Sequence, residues 1–287
     1  MPPSAPRVST ARTAQATELP RRRRISRKRL VVLVSGVLGC AVIAAAGLGV
    51  AAAIRPAASV PTADETVFVV NKVAVPFAEF EIFLQQDRSE TVDAYGPRVG
   101  STSGATFWST SVAGTTPTAD LLKRARQDAI TESIQFQLAS KYKLVASPSF
   151  DAFHQTWLAE NERRREALAA GKPIYGPQQY TEPNYLTYVT GDLAAELQQS
   201  LVKDGTITVT TPILRAYYES HLGDFTNSSQ EGPVTDNFAA LRKPIQARYV
   251  DSAYTKLISQ LSGAAEVRTL GAIKRITESG CLAAGKC

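Results

Sequence analysis

The sequence predicts a mostly α-helical protein that follows one N-terminal membrane-spanning helix. Residues 30–54 form a run of 25 residues without a charge. At about 1.5 Å per residue, a helix of this length is longer than the ~30 Å hydrocarbon core of a bilayer. Downstream, apolar residues recur at spacings of three and four, and Thr-Pro or Ser-Pro pairs stand where three of these stripes begin. Such pairs are typical of helix starts.

The basic residues are concentrated at the N-terminus. Residues 1–29 hold nine of the 32 Lys and Arg and a single acid, Glu18, and only Arg55 follows the apolar run directly. This asymmetry predicts a cytoplasmic N-terminus and an extracytoplasmic location for residues 55–287. The remainder of the chain has 23 basic and 25 acidic residues. A nucleic-acid-binding protein would carry its basic surplus on the folded part, so we exclude that class.

Three alternatives remain open for the apolar segment. We interpret it as an uncleaved signal anchor, although "AAA" at 51–53 would allow cleavage after an unusually long apolar stretch. "VLGC" at 37–40 resembles a lipobox, which would make Cys40 an acylated residue. The apolar run continues for 14 residues beyond Cys40, which favours a small residue inside the membrane helix. The arginine run also loosely resembles a twin-arginine export signal.

The region after the linker 55–64 is predicted to be a series of helices with short strands. The predicted elements are a strand at 65–75 with a turn near Asn71-Lys72, a helix from Pro76, a loop at 95–117, and helices at 117–144, 148–170, 183–203 and 211–222. A polar linker at 226–237, a helix at 238–261 with a kink or restart at Pro244, and a strand within 266–276 complete the series. The charge run "NERRRE" at 161–166 is predicted to be solvated.

Four segments, in this order, resemble the SurA/PrsA family of extracytoplasmic chaperones and peptidyl-prolyl isomerases. They are "VVNKVAVPFAEFEIFL", "LLKRARQDAITESIQFQLASKYKLVASPSFDAF", "ITVTTPILRAYYESHLGDF" and "FAALRKPIQARYVDSAYTKLISQL". The resemblance covers roughly residues 66–276, and Lys72 stands where the family usually has glycine. It implies a SurA N-terminal-like helical domain whose C-terminal helix packs back on the preceding helices.

The resemblance also implies a missing module. In the family, the third segment leads into a parvulin isomerase domain, but only the 12 residues 226–237 separate Phe225 from Phe238. The two histidines, His154 and His221, lie on other predicted helices, and the initiator is the only methionine. We therefore expect no isomerase activity and no other enzymatic activity. The sequence shows no metal-ligand spacing and no phosphate loop, so we expect no cofactor.

The resulting hypothesis is a membrane-anchored holdase-type chaperone that binds unfolded or secreted polypeptides. Its candidate contact residues are aromatic side chains that the helical stripes do not need: Phe107, Trp108, Tyr175, Tyr180, Tyr185 and Tyr188. The alternative for each is packing against the helices. Rival functions are a structural or adaptor protein of the cell envelope with one dedicated partner, and a divergent isomerase. The sequence gives no oligomeric state.

The C-terminal tail, residues 277–287, contains a close cysteine pair. Cys281 and Cys287 are separated by five residues. Outside the cytoplasm such a pair most simply forms a local disulfide. Two free thiols on a frayed tail are the alternative, while a metal site would need more ligands than two sulfurs.

Overall fold

The computed structural model describes residues 58–225, 237–285 and 287. The predicted basic segment, the predicted membrane helix with Cys40, and all but one residue of the linker 226–237 lie outside the described residues. Within the described part no helix has both the length and the apolar character needed to cross a bilayer. These described residues belong to one compact unit.

Ten helices and three short strands make up the described residues, which confirms a mostly helical fold. The strands are β1 (Thr66–Val70), β2 (Val73–Pro76) and β3 (Val267–Thr269). The helices are α1 (Phe77–Val99), α2 (Gly104–Ser109), α3 (Pro117–Lys141), α4 (Phe150–Ala169), α5 (Glu182–Lys203), α6 (Thr211–Ser220), α7 (Leu222–Phe225), α8 (Phe238–Gly263), α9 (Ala272–Glu278) and α10 (Cys281–Ala284).

The small sheet joins the two ends of the described chain. Its order is β2-β1-β3, and both pairs are antiparallel. Asn71 and Lys72 form the tight turn between β1 and β2, with φ values of 48° and 79°. The Asn71 side-chain oxygen accepts a hydrogen bond from the Glu266 amide at 2.8 Å, and the Asn71 amide donates to the Glu266 carbonyl at 2.9 Å. This turn therefore aligns β3 with β1.

The helices pack around α3. Helix α1 makes the most extensive packing with α3, and α5 and α8 also pack on α3. Helix α8 also packs on α5 and α6, as the sequence predicts for an apolar stripe returning to the earlier helices. Its first half forms a small cluster with α6, made of Leu214, Tyr218, Phe238 and Ile245. Its second half joins the main core through Val250, Tyr254 and Ile258.

Three predictions of secondary structure need correction. The region 95–117 is not one long loop, because α1 continues to Val99 and α2 occupies 104–109. Burial of Tyr95 in the core stabilises the last turn of α1 despite the helix-breaking residues Gly96 and Pro97. Of the kink or restart predicted at Pro244, the restart is absent, because α8 runs through this residue as one helix; the kink stays a prediction. The predicted final strand is only three residues long, and α9 follows it.

Candidate functional site

The candidate site lies on a pair of antiparallel helices, here called the α4–α5 hairpin: α4, the connecting residues 170–181, and α5. The contacts show that the two helices are antiparallel. Asn161 in the second half of α4 bonds to Tyr180, just before α5, whereas Phe153 near the start of α4 stacks on Tyr185, which lies further along the chain. Local sequence explains both helix starts. The Ser149 hydroxyl accepts a hydrogen bond from the Ala152 amide, and the Thr181 hydroxyl accepts one from the Asn184 amide.

Arg164 fixes the connecting segment of the hairpin. Its guanidinium donates to the carbonyl oxygens of Tyr175 at 2.9 Å and Pro177 at 2.6 Å, and to the Glu160 carboxylate at 2.8 Å. The same group lies over the Tyr180 ring, 4.4 Å from the centroid. The residue is only 5% exposed. The prediction that the whole charge run 161–166 is solvated is therefore wrong at Arg164, because these carbonyls replace water as hydrogen-bond acceptors.

The backbone of Tyr180 is held by two residues of α4. The Asn161 side-chain amide donates to the Tyr180 carbonyl at 2.9 Å, and its oxygen accepts from the Tyr180 amide at 2.8 Å. The Trp157 indole donates to the same carbonyl at 2.9 Å. Tyr180 therefore occupies a fixed position at the entrance to α5, although it belongs to a connecting segment.

Aromatic rings form a continuous cluster along the hairpin. Tyr180 stacks on Tyr188 with ring centroids 5.6 Å apart, and it lies 5.5 Å from Tyr185. Tyr185 in turn stacks on Phe153 at 5.7 Å, and Phe153 meets Phe136 of α3 edge to face at 6.1 Å. Burial raises the pKa of Tyr185, and a hydrogen bond to Asp192 raises the pKa of Tyr188. The cluster connects an exposed surface with the protein core.

A cavity of about 430 Å³ opens beside this cluster, where α3, α4 and α5 meet. Its volume falls within the range of about 300–1,000 Å³ that is typical of ligand pockets. Phe136, Phe153, Tyr185 and Tyr188 contribute to its walls, together with Leu144, Val145, Val189 and Leu193. Asp192 and Glu196 contribute the only charged groups among its fourteen lining residues.

The hairpin also concentrates exposed apolar surface. Of the seven large hydrophobic side chains exposed in the described ranges, four belong to it: Leu158, Leu168, Tyr175 and Tyr188. Tyr175 is 91% exposed and Tyr188 is 51% exposed. Four of the six predicted contact residues, Tyr175, Tyr180, Tyr185 and Tyr188, thus lie on one element, with Tyr185 forming the buried base.

Phe107 and Trp108 do not belong to this surface, and their prediction as contact residues needs correction. Both are buried, with exposures of 0% and 3%. They lie in α2, which packs against α3 and beneath α10. Arg88 closes the arrangement, because its guanidinium lies 4.5 Å from the Trp108 ring centroid and donates to the Leu282 carbonyl at 2.7 Å. The C-terminal segment thus covers two residues that the sequence alone places in an open loop.

The C-terminal segment is folded against the body of the protein. A disulfide joins Cys281 to Cys287, with the Cα atoms 5.3 Å apart. Both cysteines and Leu282 are at least 96% buried. The described residues of this segment, 277–285 and 287, therefore belong to the packed structure and do not form the frayed tail that the sequence leaves open as an alternative.

Sequence reasoning missed several residues of the site. Phe153 has an apolar helical spacing that marks it as a core residue, and nothing in its pattern indicates a cavity wall. Asp192 and Glu196 are four residues apart, a spacing that places them on one face of α5. That spacing was an available signal. Arg164 carried no signal distinguishing it from the neighbouring arginines.

Other groups with possible chemistry have structural partners. His154 pairs with Glu182, and His221 stacks on Tyr217 with ring centroids 4.2 Å apart. Between α1 and α3, burial raises the pKa of Glu132 to about 8. Burial, followed by repulsion from Glu132, raises the pKa of Glu79 well above its ordinary value. In the ranges that the structure describes, no group of three or more potential ligands could hold a metal ion.

Comparisons with known proteins leave the geometry as the main guide. Searches against protein-family profiles, curated proteins and solved structures found no significant match to this chain.

Proposed function

We propose that the protein is a membrane-anchored, extracytoplasmic holdase-type chaperone that binds unfolded or secreted polypeptides without isomerase activity. The observation that carries this proposal is the aromatic surface of the α4–α5 hairpin beside an apolar cavity. Tyr175 and Tyr188 are exposed, and the cavity below Tyr188 has aromatic walls. Exposed apolar surface of this kind marks interaction sites in soluble domains. Rigid aromatic side chains also supply contact area at low entropic cost.

The sequence resemblance to SurA/PrsA chaperones supports the same proposal. The order of a strand hairpin, a long helix pair, a TP-initiated helix and a returning C-terminal helix agrees with what the resemblance implies. With only residues 226–237 available between the third and fourth segments, a parvulin domain has no room. We accordingly propose that client binding occurs without acceleration of prolyl cis/trans isomerisation.

The cellular location is part of the proposal and can be tested separately. We propose that residues 30–54 anchor the chain and that residues 55–287 face away from the cytoplasm. Protease added to intact cells stripped of outer wall layers is expected to degrade the folded part, and thiol reagents without reductant are expected to miss Cys281 and Cys287. Protection of the folded part together with free labelling of both cysteines would overturn this location.

Aggregation suppression tests the holdase function directly. The fragment beginning at residue 56 is expected to slow aggregation of a chemically denatured client protein without ATP. The double variant Tyr175→Ala/Tyr188→Ala removes the two exposed rings and should weaken client binding about fivefold, which corresponds to about 1 kcal/mol. Val60→Ala/Leu261→Ala, which alters exposed apolar residues outside the hairpin, serves as the matched control. Equal suppression by both double variants would remove the hairpin from the mechanism.

One observation favours the adaptor alternative. A groove of about 710 Å³ runs between α5 and α8, with Gln198, Gln199 and Gln246 together with Lys203 and Lys243 among its lining residues. Convergent polar groups of this kind suit one dedicated partner better than many unfolded clients. Capture of a single protein, lost on Lys203→Glu/Lys243→Glu but kept on Tyr175→Ala/Tyr188→Ala, would support the adaptor over the holdase.

A further inference from the structure

Two acidic side chains stand among the otherwise uncharged residues that line the cavity of the α4–α5 hairpin. Asp192 and Glu196 both line it, and no Lys or Arg does. Both carboxylates are exposed, and neither has an ion-pair partner among the described residues. Arg163 and Arg164 of α4 are already paired with Glu160. The residues that line the cavity therefore carry a net negative charge.

The two carboxylates are four residues apart on α5. Like charges at this spacing on a helix face repel each other and destabilise the helix slightly. Asp192 lines the cavity together with Tyr188, whose ring is exposed, and its carboxylate raises the pKa of the Tyr188 phenol. A cation bound between the two carboxylates would relieve their repulsion. If this cation is a Lys or Arg side chain, its aliphatic stem would also contact the edge of the apolar cavity.

We propose that this site selects extended segments in which a large apolar residue and a Lys or Arg stand two positions apart. The inference rests on the proposed holdase function and names its substrate class. In an extended chain, residues i and i+2 project from the same side. The apolar side chain therefore enters the cavity while the cationic side chain reaches Asp192 and Glu196. The selected pattern is apolar-x-basic, read in either direction.

Fluorescence anisotropy with three labelled nonapeptides tests this specificity on the purified full chain. The peptides share a central Phe and differ only at the position two residues later, which is Lys, Gln or Glu. Affinity is expected to fall in that order, with Lys and Glu peptides differing about tenfold at low salt. The difference should shrink in 0.5 M NaCl because salt screens exposed charges.

Two variants and a matched control test whether the peptide preference depends on Asp192 and Glu196. Asp192→Lys/Glu196→Lys should reverse the order of the three peptides, and Asp192→Asn/Glu196→Gln should remove it. Glu166→Lys/Glu219→Lys adds the same charge at exposed positions outside the cavity and should keep the wild-type order. Melting curves verify that each variant is folded, and the Asn/Gln variant decides the question if the Lys variant unfolds.

The possible outcomes separate this inference from the function on which it rests. Equal binding of the three peptides, weakened for all of them by Tyr188→Ala, would overturn the charge preference and leave the holdase proposal intact. The same would follow if Glu166→Lys/Glu219→Lys reversed the order, because the effect would then be one of overall charge. No binding of any peptide, together with no suppression of aggregation, would overturn both.

Discussion

The guanidinium of Arg164 lies 4.4 Å from the centre of the Tyr180 ring while donating hydrogen bonds to the carbonyls of Tyr175 and Pro177. One buried side chain of α4 thus fixes both the backbone of the connecting segment and the first ring of the aromatic cluster. The exposed Tyr175 is presented on a segment held at its carbonyl, so the surface that we propose for client binding is largely preorganised.

Replacing this arginine should loosen the hairpin. Arg164→Met keeps a long side chain but removes the donors, so two backbone carbonyls lose their charged partner. Hydrogen bonds to charged groups contribute about 1.5–3 kcal/mol each, and part of this is recovered by water at the surface. We expect a loss of about 2 kcal/mol in unfolding free energy and faster amide hydrogen exchange in residues 172–181, measured by urea denaturation and exchange mass spectrometry.

The neighbouring arginine supplies the control for this prediction. Arg163 pairs with the same Glu160 carboxylate, but its side chain is 60% exposed. Exposed pairs of this kind contribute little to stability, because water screens both charges. Arg163→Met should therefore leave exchange in 172–181 unchanged. If amide hydrogen exchange in residues 172–181 is equally slow in both variants, Arg164 does not hold this segment in place.

Stability should fall as pH rises from about 4.5 to 8, because of the carboxyls between α1 and α3. Glu132 ionises near pH 4.5 when unfolded, but burial raises its pKa to about 8 in the folded chain. Below pH 4.5 it is protonated in both states, so its contribution is fully present there. Between the two values only the unfolded state ionises, and each pH unit costs about 1.4 kcal/mol for one such group. Burial also raises the pKa of Asp87, to about 6, which adds a slope of the same sign.

Glu132→Gln should flatten this dependence and stabilise the protein at pH 8, as measured by urea midpoints between pH 5 and 9. Glutamine keeps the shape of the side chain without a charge to bury. Glu162→Gln, at an exposed position of α4, should change stability by less than about 0.5 kcal/mol at every pH. A midpoint that stays constant from pH 5 to 8 in the wild-type protein would refute the buried ionisation.

Reduction of the disulfide should expose Trp108. The ring between Cys281 and Cys287 is short, so its loss costs about 2 kcal/mol in the chain-entropy account and releases α10 from α2. In a Trp157→Phe background Trp108 is the single tryptophan. We expect its emission to shift to the red and its quenching by acrylamide to increase after treatment with dithiothreitol.

The opposite background controls for general unfolding. With Trp108→Phe, the remaining Trp157 reports on the hairpin, and reduction should leave its emission unchanged. A shift of both tryptophans would indicate global unfolding, and no shift of Trp108 would show that α10 stays in place without the disulfide.

The turn between β1 and β2 should respond in opposite directions to two glycine substitutions. Lys72 has a φ of 79°, where a side chain is strained and glycine is not. Lys72→Gly should therefore raise the unfolding free energy by about 0.5–1 kcal/mol, measured by urea denaturation. Asn71→Gly should lower it, because the Asn71 side chain accepts the hydrogen bond from Glu266. Stabilisation by both changes would mean that the Asn71 side chain contributes nothing to the alignment of β3.

The predicted and observed structures agree where local physics decides and differ where distant segments meet. Thr116 and Thr181 are local caps, and the helices beside them begin near the expected positions. The positions of Phe107 and Trp108 depend instead on α10, whose approach no local pattern encodes. In α8 the buried line passes through Val250, Tyr254 and Ile258, whereas Tyr249, Ala253 and Leu257, each one position earlier, are only partly buried. Both lines have helical spacing, so periodicity alone could not choose between them.

The same distinction applies to the site. Tyr175 and Tyr188 are aromatic residues that the apolar helical stripes do not include. The sequence therefore predicted that they are available for contacts, and both are exposed. The cavity is formed jointly by α3, α4 and α5, so its existence depends on packing angles that the sequence pattern does not specify. Burial of Arg164 depends on the path of residues 172–181, which contains Gly176 and two prolines and has no periodicity.

The pairing of β3 with β1 sets the order in which the chain can fold as it is made. Phe68 lies opposite Thr269, so about 200 residues must emerge before the central strand of the sheet gains its second partner. Until then one edge of β1 is unpaired, and Phe107 and Trp108 lack the cover that α10 provides. Folding of this domain can therefore finish only after synthesis has passed its last residues, and until that moment the nascent protein exposes a strand edge and an aromatic pair of its own.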